Sequence, residues 1–91
     1  MDVDVEVRDP AADPIAAAVT VRGGGASTRH EVTLRRADLE RLGGPGEDPA
    51  SFLRRCFEFL LAREPRESIL SRFDVAVIAR YFPEFEREIA G

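Results

Sequence analysis

The sequence predicts an α+β fold, in which a three-stranded antiparallel meander over residues 1–34 precedes three to four helices over residues 35–91 that pack on one face of the sheet. Two observations lead to this prediction. Apolar and polar residues alternate in the first third, which is typical of strands with one buried face. Beyond residue 49 apolar residues recur at helical spacing. Ninety-one residues leave room for one core, so we expect a single domain.

The three strands follow from runs of alternation and from the breaks between them. Residues 2–8 alternate valines with charged side chains, and a segment with two prolines at 9–14 interrupts the run. A second run covers residues 15–22, a glycine-rich turn covers 23–28, and a third run covers 29–34. Such short links favour antiparallel pairing of successive strands.

The first two helices are marked by caps and breakers. Residues 36–42 form a short helix that a Gly-Gly-Pro-Gly segment ends. Asp48 can cap the free amides of the next helix, and Pro49 fits its first turn without losing a needed donor. Apolar residues between 52 and 61 then form a broad stripe that can cover the sheet.

Two further helices and a terminal turn complete the predicted layer. We expect a third helix that starts at Pro65 and carries Ile69, Leu70 and Phe73. Asp74 can cap a fourth helix with apolar residues between 75 and 82. After Pro83 the remaining apolar residues are spaced as an i, i+4 pair, which is typical of one more helical turn.

Composition and charge exclude several classes of function. The chain has no apolar run long enough to span a membrane, and its acidic beginning is unlike a secretory signal. A lone Cys56 fits a reducing compartment, so we expect a soluble cytoplasmic protein. The net charge of −4 gives no general attraction to nucleic acid.

Two features point to a bacterial source. All 13 basic residues are Arg, and Lys, Asn, Gln and Trp are absent, which indicates a genome of high GC content. Residues Phe57 to Glu86 read FEFLLAREPRESILSRFDVAVIARYFPEFE. This stretch resembles the C-terminal signature of a group of small bacterial proteins of unassigned function, especially in REPRESILSRFD and RYFPEFE. The resemblance implies no activity, cofactor or site residue.

Nucleophilic chemistry would depend on two isolated residues. Cys56 falls on the apolar face of its helix, which is typical of a buried structural cysteine. His30 is the only histidine, and nothing near it in sequence orients its ring. We therefore predict no catalytic, metal or cofactor site and do not expect an enzyme. A small enzyme that uses His30 or Cys56 remains an alternative.

Charged and glycine-rich segments have structural interpretations that we favour. The acids at positions 2, 4 and 6 share a strand face and could attract a cation, but charge on an edge strand also deters aggregation. The glycines at 23–25 fit a hairpin turn and lack the pattern of a phosphate loop. Glu64 and Glu67 interleave with the basic residues of the helical half, which favours ion pairs over an anion-binding face; those basic residues are Arg63, Arg66, Arg72 and Arg80.

An excess of aromatic residues suggests a binding surface. Five of the six Phe residues and the only Tyr lie between positions 57 and 85. They either fill the core against the sheet or leave an apolar patch for a partner. The predicted interaction surface consists of Phe73, Tyr81, Phe82, Phe85 and Ile89. We expect a protein partner or a second copy in a homodimer; an antitoxin-like or repressor-like regulator that binds nucleic acid is the alternative.

Overall fold

The computed structural model describes residues 1–90. Its elements follow in this order: β1 (Asp2–Val7), β2 (Ile15–Gly23), β3 (Ala26–Leu34), α1 (Arg36–Leu42), α2 (Pro49–Leu61), β4 (Arg72–Asp74), α3 (Ile78–Tyr81) and α4 (Phe85–Ala90). Single 3-10 turns at Arg66–Ser68 and Val75–Val77 stand on either side of β4. The α+β class predicted from the sequence is confirmed.

The sheet has four strands in the order β1-β2-β3-β4. The first three form the predicted antiparallel meander, with Val5 opposite Val19 and Val19 opposite His30. The fourth strand lies parallel to β3, and Phe73 stands opposite Val32. The sheet is therefore mixed, and the β part of the chain is not confined to residues 1–34.

The predicted third helix from Pro65 through Phe73 is wrong. Only one 3-10 turn forms there, and the chain is extended from Ile69 onward. The free edge of β3 explains the difference, because the backbone amide of Glu31 needs an acceptor and finds the carbonyl of Ser71 at 2.8 Å. Pairing with β3 thus overrides the local helical spacing.

The other predicted helices are confirmed in part. The first helix has the predicted bounds, and the carboxylate of Asp48 accepts from the amide of Ser51 at 2.8 Å at the start of α2. Asp74 also caps as predicted, but it accepts from Ala76 in a 3-10 turn, and only α3 follows. No helix within residues 1–90 combines the length and apolarity that a membrane crossing requires.

The core lies between one face of the sheet and α2. The inward residues of β2 and β3 are buried, and the opposite sheet face carries alanine, small polar and charged side chains. From α2, Phe52, Leu53, Cys56 and Phe57 are fully buried against that inward face. Helix α4 then packs on α1 and α2.

Candidate interaction surface

The five residues of the predicted interaction surface divide into two groups. Phe85 and Ile89 are buried in the core, so the prediction that they form a surface is wrong for this chain by itself, whereas Phe73 is 9% exposed and lines the floor of an apolar groove. Tyr81 is 66% exposed and Phe82 is half-buried. The difference arises because the ring of Phe85 lies 5.0 Å from that of Phe59 in an edge-on pair, which draws α4 against α2.

Tyr81 and Phe82 line a groove between the end of α2, the 3-10 turns and α3. The groove has a volume of about 190 Å³, and Leu70, which is 46% exposed, also lines it. Its floor is apolar, and Glu64 and Ser68 stand among its lining residues. The apolar floor consists of Leu60, Ile69, Phe73, Val77 and Ile78.

Sequence reasoning missed Leu70 as a surface residue. The expected helix would have placed it on a broad apolar stripe beside Ile69. In an extended chain, neighbouring side chains point in opposite directions, so only one of the two can enter the core. Ile69 is buried and Leu70 faces outward. The adjacent apolar pair in a segment with few helical signals was the available clue.

The backbone under Leu70 is fixed by His30. The imidazole is 2% exposed, and its Nδ1 lies 2.8 Å from the carbonyl oxygen of Leu70. Its Nε2 lies 2.9 Å from Oγ1 of Thr28, and its ring packs 5.4 Å from that of Phe57. A carbonyl can only accept, so Nδ1 carries the proton and donates, and the Thr28 hydroxyl can donate to Nε2. His30 therefore holds the groove wall in place.

Cys56 has the surroundings of a structural residue. Burial raises the pKa of its thiol to about 12, and the neighbouring Arg55 offsets this only in part. A thiol with such a pKa is a poor nucleophile. Both ring nitrogens of His30 are engaged by Thr28 and Leu70, so the imidazole is not hydrogen-bonded to the thiol.

The four arginines proposed as a basic face have separate surroundings. Arg63 stacks on Phe59, with its guanidinium carbon 3.6 Å from the ring centre, and donates to Glu84 and Glu88 of the C-terminal segment. Arg66 lies 3.2 Å from the carboxylate of Glu67. Arg72 and Arg80 are exposed. Arg63 and Arg66 thus form ion pairs, but only Arg66 pairs with one of the interleaved carboxylates that the sequence indicated.

Neither the acidic strand β1 nor the glycine turn between β2 and β3 has the geometry of a ligand-binding site. Asp4 forms an ion pair with Arg22 at 2.8 Å, and no cluster of His, Cys, Asp or Glu within residues 1–90 is arranged to hold a metal ion. Gly24 and Gly25 have φ values of 60° and 78° and form the tight link between β2 and β3. This left-handed conformation explains why glycine occupies both positions.

Known proteins give no further guidance. No protein-family model, curated protein sequence or solved structure matches the chain at a significant level. The resemblance of residues 57–86 to small bacterial proteins therefore stays a prediction.

Proposed function

We propose that this chain is a cytoplasmic protein-interaction domain that docks a partner protein, or a second copy of itself, through the groove formed by Leu70, Tyr81 and Phe82. One observation carries the proposal. Within residues 1–90 the large apolar side chains that remain exposed are Met1, Leu70 and Tyr81, and the last two line the same groove. Single exposed apolar residues are common, whereas convergent ones mark binding surfaces.

The size and lining of the groove favour a protein ligand. Pockets for drug-sized molecules usually measure about 300 to 1,000 Å³, and this groove is smaller. It suits one large apolar side chain presented by a partner. Tyr81 adds a rigid ring with a polar end, and aromatic residues of this kind are enriched where proteins bind each other. Glu64 and Ser68 can supply hydrogen bonds around the inserted side chain.

The alternatives have less support. A nucleic-acid regulator needs a positive surface, but the net charge is −4 and Arg63 is engaged by two carboxylates. A small enzyme based on His30 or Cys56 needs accessible groups, yet both side chains are buried. The imidazole and the thiol have structural roles. The exposed residues therefore favour binding as the function.

The test compares the wild-type protein with the double variant Leu70→Ser/Tyr81→Ser. Size-exclusion chromatography with light scattering measures self-association, and affinity capture from cell extract measures binding of other proteins. We expect wild type to form a dimer or to retain a partner, and the double variant to lose that species. Arg80→Ser, an exposed neighbour, is the matched control and should behave as wild type. Identical behaviour of wild type and the double variant in both assays would refute the proposal.

A further inference from the structure

The outer edge of β1 presents unpaired backbone groups. β1 pairs with β2 on one side only, and the amide of Arg8 donates to the carbonyl of Ala16 at 3.0 Å in the register of that ladder. In antiparallel pairs, hydrogen-bonded residues alternate with non-bonded ones. The even-numbered residues of β1 therefore bond to β2, and Val3, Val5 and Val7 turn their amides and carbonyls to the open edge.

Most of this edge has no partner in the chain. Arg54 reaches from α2 and donates from Nε to the carbonyl of Val3 at 3.3 Å, a long hydrogen bond. The other outward amides and carbonyls of residues 3, 5 and 7 have no hydrogen-bond partner within residues 1–90. The opposite edge of the sheet differs, because β4 pairs with residues 31–33 near the C-terminal end of β3 and is itself only three residues long. β1 is the long edge of this sheet.

The side chains beside this edge differ between the two sheet faces. Asp2, Asp4 and Glu6 lie exposed on the outer face, where Arg22 pairs with Asp4. The valines on the inner face are half-buried and pack against the core. Leu61 and Ala62 of the α2 end continue this apolar side in a cleft next to Val3, which Arg54 and Glu58 also line. An added strand would therefore meet acids on the outer face, and on the inner face it would meet apolar side chains with one Arg and one Glu beside them.

We propose that the β1 edge accepts an extended segment of another protein as a fifth strand, and that this segment alternates basic with apolar side chains. Strand addition satisfies the free backbone groups. Basic side chains would lie across from the acids, where opposite charges on neighbouring strands stabilise the pair, and apolar side chains would continue the inner face. This surface is separate from the groove, so the proposal does not depend on the groove.

The charge on the edge selects against a second copy of this chain. If two β1 strands paired antiparallel with their apolar faces on the same side, acids would stand opposite acids. Like charges directly opposite each other destabilise a strand pair. The same acids thus protect the edge from self-pairing and favour a basic partner.

The test is an NMR titration of the labelled protein with a synthetic peptide that alternates lysine with valine. We expect chemical-shift changes at residues 2–8, slower amide exchange at Val3, Val5 and Val7, and binding that weakens with salt. A peptide that alternates glutamate with valine should not bind. Equal binding of both peptides, shifts confined to other residues, or no binding of the lysine peptide would overturn the proposal.

Two variants localise the interaction. Val5→Pro removes an outward amide and no hydrogen bond to β2, so it should weaken binding about tenfold. The double variant Asp2→Asn/Glu6→Gln keeps side-chain shape and should weaken binding several-fold, which preserves the test if the proline variant fails to fold. Leu70→Ser/Tyr81→Ser is the matched control and should bind the peptide as wild type does. Unchanged binding by the charge variant would count against the proposal.

Discussion

The core around His30 and the groove around Leu70 are adjacent, and they differ in which side chains they bury and expose. On the core side, a polar imidazole is buried and both of its nitrogens have partners. On the groove side, apolar side chains remain exposed. Because the Leu70 carbonyl is held by His30, the exposure of its side chain is not a sign of a loose segment. The groove is therefore a fixed surface, because a buried side chain of the core holds its backbone.

The largest expected effect concerns the thiol on the core side. With a pKa near 12 instead of its usual 9, Cys56 has about a thousandfold less thiolate at neutral pH than in the unfolded chain. Because the thiol is also fully buried, we expect a chromogenic disulfide reagent to react at least that much more slowly with the native protein than with the protein in denaturant. Rapid labelling of the native protein would show that the core around Cys56 opens readily.

Removal of the imidazole should break the link between the two regions. His30→Ala leaves a cavity and two hydrogen-bonding groups without their partner, so we expect a loss of about 2 to 4 kcal/mol in unfolding free energy. Chemical denaturation measures this loss, and Arg80→Ser serves as the surface control. Hydrogen exchange should also accelerate around Leu70. A loss no greater than that of the control would mean that His30 does not support the groove.

Acid should weaken the partly exposed ion pair between Glu47 and Arg55. Glu47 accepts two hydrogen bonds from Arg55 and one each from Ser51 and Gly44. These bonds, the Arg55 pair first, lower the pKa of Glu47 from 4.5 to about 2. A lowered folded pKa gives stability that is complete above pH 4.5 and is lost as pH falls toward 2.

The expected contribution of Glu47 is about 3 kcal/mol at neutral pH, as an upper value. Denaturation curves at several pH values should show a shallower acid dependence for Glu47→Gln than for wild type. Glu40→Gln, an exposed carboxylate without a hydrogen bond in the structure, is the control. Parallel acid profiles for wild type and Glu47→Gln would contradict this expectation.

The smallest effect on stability is expected at the groove. Leu70→Ser and Tyr81→Ser each remove an exposed side chain, so the free energy of unfolding should change by no more than about 0.5 kcal/mol. Thermal or chemical denaturation measures this, and Phe85→Ala, a buried neighbour, should cost several kcal/mol by contrast. A large loss at Leu70 or Tyr81 would place these side chains in the core instead of on a binding surface.

The parts of the fold that were predictable are those set by local chemistry. Asp48 and Pro49 mark the start of α2 because a carboxylate cap and a proline at the first position suit a helix opening and little else. The alternating valines of β1 likewise fit only a strand. The third helix could not be decided locally, because Ile69 and Phe73 are four residues apart, and a spacing of four satisfies both the helical and the strand period. Pairing with the open edge of β3 makes this segment a strand.

The candidate surface was predictable only in part for a related reason. An aromatic excess indicates that some rings stay outside, but which ones depends on how α4 packs on α2. Phe85 and Ile89 enter the core through that contact, and Tyr81 does not. Leu70 is a surface residue because its segment is extended, which the sequence alone did not indicate.

The bond between His30 and Leu70 joins positions 40 residues apart in the chain. The β1–β3 hairpins pair neighbouring segments, whereas β4 pairs with β3 across about 40 residues, a longer loop whose closure costs more entropy. We expect the walls of the groove to assemble in the last step of folding. A protein that recognises these walls would then bind the folded domain and not its partly folded forms.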